Sequence, residues 1–326
     1  MTVLNTQFST VDESAYGTPV TTTRFWETNG VPDFAPEYGR SQSEGLRTGT
    51  RVARSDRFVP YNMGGGGTVE MDVPTIGWSW WLKHLLGTSA TGVAADSNTT
   101  HTGTVGSLAG DSFTAQVGRA FHPSGTMQPF TYHGGKVTSF ELSTDVEGLL
   151  VASIDCDFED VDTATGLAAA SYAAGAAVFA WTGAAVTIGG ASMELSNFSV
   201  SVDNNLKTDR RYLRASALKK EPVEAGMRSI EWSADLDFVD LTQYNRFVSA
   251  TAAGSLAEIV ATWTGPIIHA GATLPQIVVT LPAARFDTVD MSTGADPMTQ
   301  SVSGVGLFDG TNSPITISYR SSNAVA

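Results

Sequence analysis

Two stretches of the sequence repeat one pattern: residues 68–87 read TVEMDVPTIGWSWWLKHLLG, and residues 228–254 read RSIEWSADLDFVDLTQYNRFVSATAAG. Each stretch begins with apolar residues that alternate with polar, mostly acidic ones. Because successive side chains point to opposite faces of a strand, this alternation predicts two strands, each with one apolar and one acidic face. The rest of the chain is organised around these two strands.

A short helix is predicted after each strand. From Trp78 to Leu86, apolar residues recur at i, i+3, i+4, i+7 and i+8, which is the spacing of one buried stripe. The second stretch has a weaker stripe at Leu241, Tyr244 and Val248, behind Asp240 as an N-cap. A glycine follows each helix as a stop signal, at positions 87 and 254.

The repetition extends on both sides of these stretches. Upstream, residues 46–48 (LRT) correspond to residues 206–208 (LKT); downstream, residues 140–144 (FELST) correspond to residues 289–293 (VDMST). A repeat of this length is a whole small domain rather than a solenoid unit.

The predicted fold is mainly β, with two tandem copies of a β-sandwich or half-barrel, each with one flanking α-helix. The predicted parts are an N-terminal arm (1–30), a first domain (31–163), a linker with the strand that leads into the second domain (164–190), a second domain (191–320) and a C-terminal tail (321–326).

Charge and composition exclude several classes of protein. The formal net charge is −14 without a large basic region, which disfavours sequence-independent binding of nucleic acid. The first residues lack a basic stretch followed by an apolar run, so we expect no secretory signal. Residues 167–186 are long enough to span a bilayer but consist mainly of Ala and Gly without flanking Lys or Arg. They are therefore predicted to form a linker that becomes a strand near residues 178–182.

No catalytic, cofactor or metal site is predicted. Residues 64–67 (GGGG) precede a strand and lack a following Lys-Ser/Thr, so they indicate a turn rather than a phosphate loop. Cys156, the only cysteine, lies on an apolar strand face, and the neighbouring Asp155 and Asp157 raise the pKa of its thiol, so we expect it to be a packed residue. The histidines do not have the spacing of metal ligands; they are His84, His101, His122, His133 and His269.

Acidic strand faces are the first charged feature that recurs in both halves. The carboxylates concerned are Glu70, Asp72, Asp155, Asp157, Glu159, Glu231, Asp235 and Asp237. Three readings are open for them: simple solvated faces, the carboxylate pair of a hydrolase, or a shared acidic surface created by assembly.

Two basic connections are the second recurrent feature. The first spans residues 41–67 and the second spans residues 204–224. Their basic residues are Arg47, Arg51, Arg54, Arg57, Lys207, Arg210, Arg211, Arg214, Lys219 and Lys220. In so acidic a chain we expect them to meet carboxylates of a neighbouring subunit rather than nucleic acid.

Four segments resemble the tail tube proteins, or major tail proteins, of long-tailed bacteriophages: residues 113–119, 129–143, 149–160 and 180–205. The order of long basic connection, strand, short helix and further strands is also similar to that family. The resemblance implies a β-sandwich with a flanking helix, whose inner strands join between subunits into a ring-shaped β-barrel. Six such folds per ring are usual in the family, so a duplicated chain is expected to form a homotrimer with pseudo-sixfold symmetry.

The resemblance also implies a structural, non-enzymatic role in the virion, with subunits assembled in the host cytoplasm and rings stacked into a conduit for genome ejection. The eight carboxylates above would line the lumen, and the basic connections would reach between rings or subunits. DNA would pass without specific binding, and no membrane would be involved. Expected partners are the tape measure, tail terminator and distal tail proteins. The alternative function is a virion surface or receptor-binding β-module that forms no tube.

Overall fold

A computed structural model describes residues 5–92, 98–122, 124–266, 273–292 and 298–322. The chain is mainly β, with 51% strand and 8% helix, and the strands of these described residues form no closed barrel. His269, the first four residues of the predicted arm and most of the predicted tail lie outside the described residues.

The described residues form twenty strands and three α-helices. In chain order the strands are β1 (Gln7–Asp12), β2 (Arg24–Trp26), β3 (Ala35–Gln42), β4 (Phe58–Asp72), β5 (Ala90–Thr91), β6 (Thr99–Thr104), β7 (Phe113–Ala120), β8 (Met127–Asp145), β9 (Val151–Phe158), β10 (Asp160–Asp162), β11 (Ala184–Ile188), β12 (Ala191–Met193), β13 (Leu195–Asp203), β14 (Leu206–Lys207), β15 (Val223–Glu224), β16 (Ser229–Asp237), β17 (Leu256–Thr264), β18 (Gln276–Met291), β19 (Thr299–Gly306) and β20 (Thr316–Ser321). The helices are α1 (Trp81–Leu86), α2 (Thr242–Phe247) and α3 (Ala252–Ser255).

One antiparallel sheet, which we call the shared sheet, runs through both halves of the chain. Its strand order is β4–β9–β8–β13–β16–β19–β18. Beside β4, the backbone N–H groups of Asn29 and Asp33 donate to the carbonyl oxygens of Glu70 (3.0 Å) and Thr68 (2.9 Å). The two halves are joined directly, because β8 of the first half pairs with β13 of the second.

Two outer sheets cover the apolar side of the shared sheet. Their strand orders are β2–β1–β7–β8–β10 and β12–β11–β17–β18–β20–β6–β5. The order of pairings thus occurs twice, since β4–β9–β8 matches β16–β19–β18 and the first five outer strands of each half match as well. Strands β6 and β5 are additional, and β6 links the first half to β20.

The long strand β8 bends from an outer sheet into the shared sheet. Residues 127–135 pair with β7, and residues 136–143 pair with β9. The bend lies at Gly134, whose φ of 67° is in the left-handed region, and at Gly135, where a Cβ would lie 2.6 Å from the carbonyl oxygen of Phe113. Only glycine fits so close an approach of two strands.

The glycine run 64–67 lies inside β4, so the predicted turn is wrong, and much of the first basic connection is strand rather than loop. Close backbone contact requires glycine at the end of this run, because a Cβ at Gly67, whose φ is 146°, would lie 1.8 Å from the carbonyl oxygen of Asp33. Similarly, the strand predicted near residues 178–182 begins later, at Ala184, after a 3-10 turn at Trp181–Gly183.

Helix α1 is buried as its stripe predicts. Trp78, Trp81 and Leu86 are fully buried, and Gly87 ends the helix with a φ of 95°. The rings of Trp26 in β2 and Phe113 in β7 lie 5.7 Å and 5.8 Å from that of Trp81. Burial of this aromatic cluster between the sheets is a main source of the apolar stabilisation of the first half.

Helix α2 differs from its prediction. Asp240 does accept a hydrogen bond from the backbone N–H of Thr242 (2.7 Å), but Leu241, Tyr244 and Val248 are 53%, 36% and 50% exposed. The stripe is exposed because the described chain places no element over it. The predicted stop at residue 254 is also wrong, since that glycine lies inside α3.

No helix in the described part of the chain combines the length and the apolar character needed to cross a membrane.

Candidate functional surface

The side of the shared sheet that faces away from the core is polar along every strand. Buried and partly exposed residues alternate in β9, β13 and β16, with apolar side chains on the buried face. The opposite face carries carboxylates on six of the seven strands; they are Glu70, Asp72, Glu141, Asp145, Asp155, Asp203, Glu231, Asp235, Asp237, Asp287 and Asp290. Arg285 in β18 adjoins these carboxylates, and its guanidinium pairs with Asp287 at 2.6 Å.

Carboxylates on this face alternate with small polar residues across the strands. One row of directly opposed residues runs Glu70, Ser153, Glu141, Ser201, Glu231. A second row runs Asp145, Asn197, Asp235, Ser301, Asp290. Since neighbouring strands lie about 4.8 Å apart, carboxylates within a row are separated by about 10 Å. This spacing avoids the destabilising arrangement of like charges directly opposite each other.

Two depressions of about 310 Å³ each lie side by side on this polar face. One is lined by Ser139, Glu141, Ser153, Asp155, Asp203 and Glu231. The other is lined by Ser199, Ser201, Glu231, Ser233, Asp287 and Ser303. Together they extend from β9 to β18, so the face is concave across the junction of the two halves.

Two of these carboxylates accept hydrogen bonds from neutral side chains. Asp155 accepts hydrogen bonds from the hydroxyls of Thr68 and Ser139 (2.7 Å for the latter), and Asp235 accepts one from the side-chain amide of Asn197. No positive charge is brought in by these contacts. The negative charge of the face is therefore positioned without being neutralised.

Two of the predicted carboxylates lie apart from the open face. Asp157 is 15% exposed and forms an ion pair with Lys219, and burial raises its pKa to about 6 although Lys219 opposes the shift. Glu159 comes after the end of β9, is buried, and lies 4.0 Å from His133; burial raises its pKa. The expected run of three open carboxylates along this strand is therefore reduced to Asp155.

The sequence reasoning missed five carboxylates of the face: Glu141, Asp145, Asp203, Asp287 and Asp290. Alternation in β8 (FELSTD) and in β13 (SVSVD) would have identified the first three. Asp287 lies at a register shift in β18 between Phe286 and Thr288, and Asp290 follows this shift. The shift reverses the alternation, so the sequence pattern does not place these two residues on the polar face.

A family model described as phage tail tube protein matches residues 4–306. The chain belongs to this family. No match to a curated protein was found. The match covers nearly the whole chain, including every strand of the shared sheet, so the protein is a structural subunit of a phage tail tube and a component of the virion tail.

The first basic connection of this tail tube subunit projects from the fold. Residues 43–57 lie between β3 and β4, and Arg47, Arg51 and Arg57 are exposed. Arg54 pairs with Asp56 two residues away, at 2.5 Å. Within the described residues, the other three arginines form no ion pair.

The second basic connection instead folds back onto the first half of the same subunit. The ammonium of Lys219, which is 2% exposed, contacts Asp157, and Arg211 donates to the carbonyl oxygen of Met63 (3.1 Å). Glu221 pairs with the buried Lys136 at 2.6 Å. The remaining predicted cations make local contacts: Arg210 with the Glu221 carbonyl, Arg214 with the carbonyls of Leu218 and Lys219, Lys207 with Asp209, and Lys220 with the Tyr212 ring.

No metal-binding cluster of three or more His, Cys, Asp or Glu residues occurs in the described part of the subunit. Cys156 is buried, and burial together with Asp155 and Asp157 holds the pKa of its thiol well above the usual value. The prediction of a packed cysteine is confirmed.

Proposed function

We propose that the polar face of the shared sheet lines the lumen of the tail tube and that DNA passes over it during genome ejection. The observation that carries this proposal is a concave face with alternating carboxylates and small polar groups that continues across both halves. A wall of this kind repels phosphate and stays hydrated, whereas a basic wall would bind DNA through counterion release. DNA then transits without specific binding.

An unpaired strand edge at one end of the shared sheet, and a segment hydrogen-bonded to β4 at the other end, support closure into a ring. Strand β17 pairs with β18 only as far as Arg285, so residues 286–291 have one paired edge, towards β19. In the same position of the first half, β8 pairs with β13. Residues 28–33, beside β4, occupy the position of β13. We infer that residues 286–291 of one copy pair with residues 28–33 of the next, which covers both edges.

The repeated strand order supports a tandem duplication with the domain boundaries predicted above, and hence a ring of six half-subunits. Three copies would make one ring with pseudo-sixfold symmetry, and rings would stack into a tube assembled in the host cytoplasm. The tape measure, tail terminator and distal tail proteins remain the proposed partners at the tube's interior and ends. The exposed arginines at 47, 51 and 57 are the proposed contacts to neighbouring subunits or rings, since the second connection is engaged within the chain.

Electron microscopy of the purified subunit at increasing concentration, combined with native mass spectrometry, tests this function. Trimers and hollow tubes are expected, and a helical reconstruction should place Glu141 and Glu231 on the inner wall. A subunit that stays monomeric at every concentration, or tubes that carry these carboxylates on the outside, would contradict the proposal.

A further inference from the structure

An apolar patch surrounds α2 on the second half of the subunit. All of its residues are exposed. The first five lie within residues 239–248, and the last lies beside them because the Phe238 N–H donates to the Met298 carbonyl oxygen (2.9 Å). The patch consists of Val239, Leu241, Tyr244, Phe247, Val248 and Met298. Soluble monomers rarely expose six apolar residues in one place, and such a patch marks an interaction site.

Three positions of the patch match buried residues of the first half, namely Trp78, Trp80 and Leu86. Counted from Glu70 and Glu231, which occupy equivalent places in the shared sheet, Trp80 corresponds to Leu241 and Leu86 corresponds to Phe247. Helices α1 and α2 begin and end at matching positions. At these two positions the second half has kept an apolar residue without the cover, whereas the buried Trp81, Leu82 and Leu85 are replaced by Thr242, Gln243 and Arg246.

The cover of α1 and of the turn before it comes from both halves of the chain: Trp26 and Phe113 of the first half pack on Trp81, and groups of the second half complete it. The ring of Tyr319 in β20 lies 6.0 Å from that of Trp78, and Arg228 donates to the carbonyl oxygen of Leu86 (2.8 Å). Strand β6, which pairs with β20, places Gly103 against the same helix. No described segment of the chain stands in this relation to α2.

We propose that the patch around α2 binds the first half of a second copy of this chain, on the flank that carries β10. This inference rests on the proposed ring. The strand equivalent to β20 in the first half is β10, because each pairs with the same part of its long strand, β8 or β18. Among the described strands β10 pairs only with β8, so its other edge has no strand partner, and Asp160 there accepts a hydrogen bond from the Tyr38 hydroxyl (3.1 Å).

The position of the patch points to the same partner. Helix α2 packs on β18, where the guanidinium of Arg246 lies 5.7 Å above the ring of Phe286. Phe286 is the first residue of the free edge that would pair with the next copy. The patch therefore adjoins the proposed ring contact, and one neighbouring copy would cover the edge and the helix together.

A photo-crosslinking residue in place of Tyr244 tests the contact. Equal amounts of ¹⁴N- and ¹⁵N-labelled subunit are mixed, irradiated and digested, so that crosslinks between copies are recognised by mass. We expect crosslinks between copies to peptides that contain residues 160–162. Crosslinks only within one copy, or only to other regions of the second copy, would overturn the inference.

A matched pair of substitutions gives a second readout. Phe247→Ser removes an apolar group from the patch, and Phe121→Ser removes another exposed phenylalanine (52% exposed, against 40% for Phe247) from the turn between β7 and β8. Both monomers should melt within about 2 °C of the wild type, because both side chains are exposed. We expect at least a tenfold higher concentration for half-assembly with F247S and no change with F121S; equal behaviour of the two would overturn the inference.

Wild-type assembly is measured first and separates the two proposals. If the wild type forms rings while F247S assembles as well as F121S, the α2 contact is wrong and the ring stands. If the wild type forms no rings and gives no crosslinks between copies, both the ring and the contact are wrong.

Discussion

The two halves of the subunit have the same order of strands but opposite exposure of two elements. The first half buries its helix α1 and exposes its basic connection, whereas the second half exposes α2 and folds its basic connection onto the first half. Both differences arise at the junction of β8 with β13. One chain contains this junction once. A second junction would be formed by α2 and residues 43–57, which lie at opposite ends of the shared sheet.

Because α1 is buried and α2 is exposed, truncating side chains at equivalent positions should lower the free energy of unfolding by different amounts. Trp80→Ala should lower the free energy of unfolding by about 4 kcal/mol, because the indole is fully buried and donates to Asp12 (2.8 Å). Leu241→Ala, at the matching position, should change it by less than about 0.5 kcal/mol. Denaturant unfolding of the monomer measures both values. Similar losses would mean that α2 is covered within the monomer.

The difference between the basic connections predicts the next largest effect. Lys219→Ala leaves the carboxylate of Asp157 buried without its partner and should cost about 3 kcal/mol of unfolding free energy. Arg51→Ala, in the exposed connection, should cost less than about 0.5 kcal/mol. If the two variants unfold at the same denaturant concentration, the second connection is not docked on the first half in solution.

The raised pKa of Asp157 predicts a pH dependence for the same docked contact. Its pKa is about 6 in the folded subunit and 3.8 in the reference state, so the folded state binds more protons between these values. The stabilisation from protonating Asp157 is complete below about pH 4 and is lost as the pH rises through 6. Relative to Asp157→Asn, the wild type should therefore lose roughly 2–3 kcal/mol of unfolding free energy from pH 4 to pH 7. A difference that is flat or rises with pH would contradict this.

Sequence reasoning predicts the features that depend on local periodicity. It fails for features that depend on contact with a segment distant in the chain. The dense stripe from Trp78 to Leu86 gives α1 correctly, and alternation gives Glu70, Asp155 and Glu231 on one face. The same reasoning fails for α2, because burial depends on which element lies above the stripe and not on the stripe itself. Glu159 was misplaced because the chain changes sheets immediately after β9, and no residue pattern marks that change.

The docking of the second basic connection is a long-range contact of the same kind. Lys219 and Asp157 are far apart in sequence, and neither has a local pattern that identifies the other as its partner. The two basic connections have similar compositions and opposite surroundings in one chain. Composition alone therefore predicted one role for both, whereas the fold separates them.

The smallest predicted effect tests the spacing of charge on the polar face across the junction of the two halves. Ser201 lies directly between Glu141 and Glu231, while Ser199, on the same strand, lies between Ser143 and Ser233. Ser201→Asp should therefore cost about 0.5–1 kcal/mol more unfolding free energy than Ser199→Asp, because only the first places like charges directly opposite each other.

Salt distinguishes this repulsion from a packing effect. The carboxylates concerned are solvated, so raising the ionic strength from about 0.01 M to about 1 M shortens the screening length from about 30 Å to about 3 Å and should remove most of the difference between the two variants. A difference that persists at high salt would mean that the Asp side chain at position 201 is poorly accommodated for steric reasons. In that case the alternation of serine and carboxylate in this row reflects the steric limits of the site rather than charge repulsion. This row would then not support the electrostatic argument for a repelling lumen.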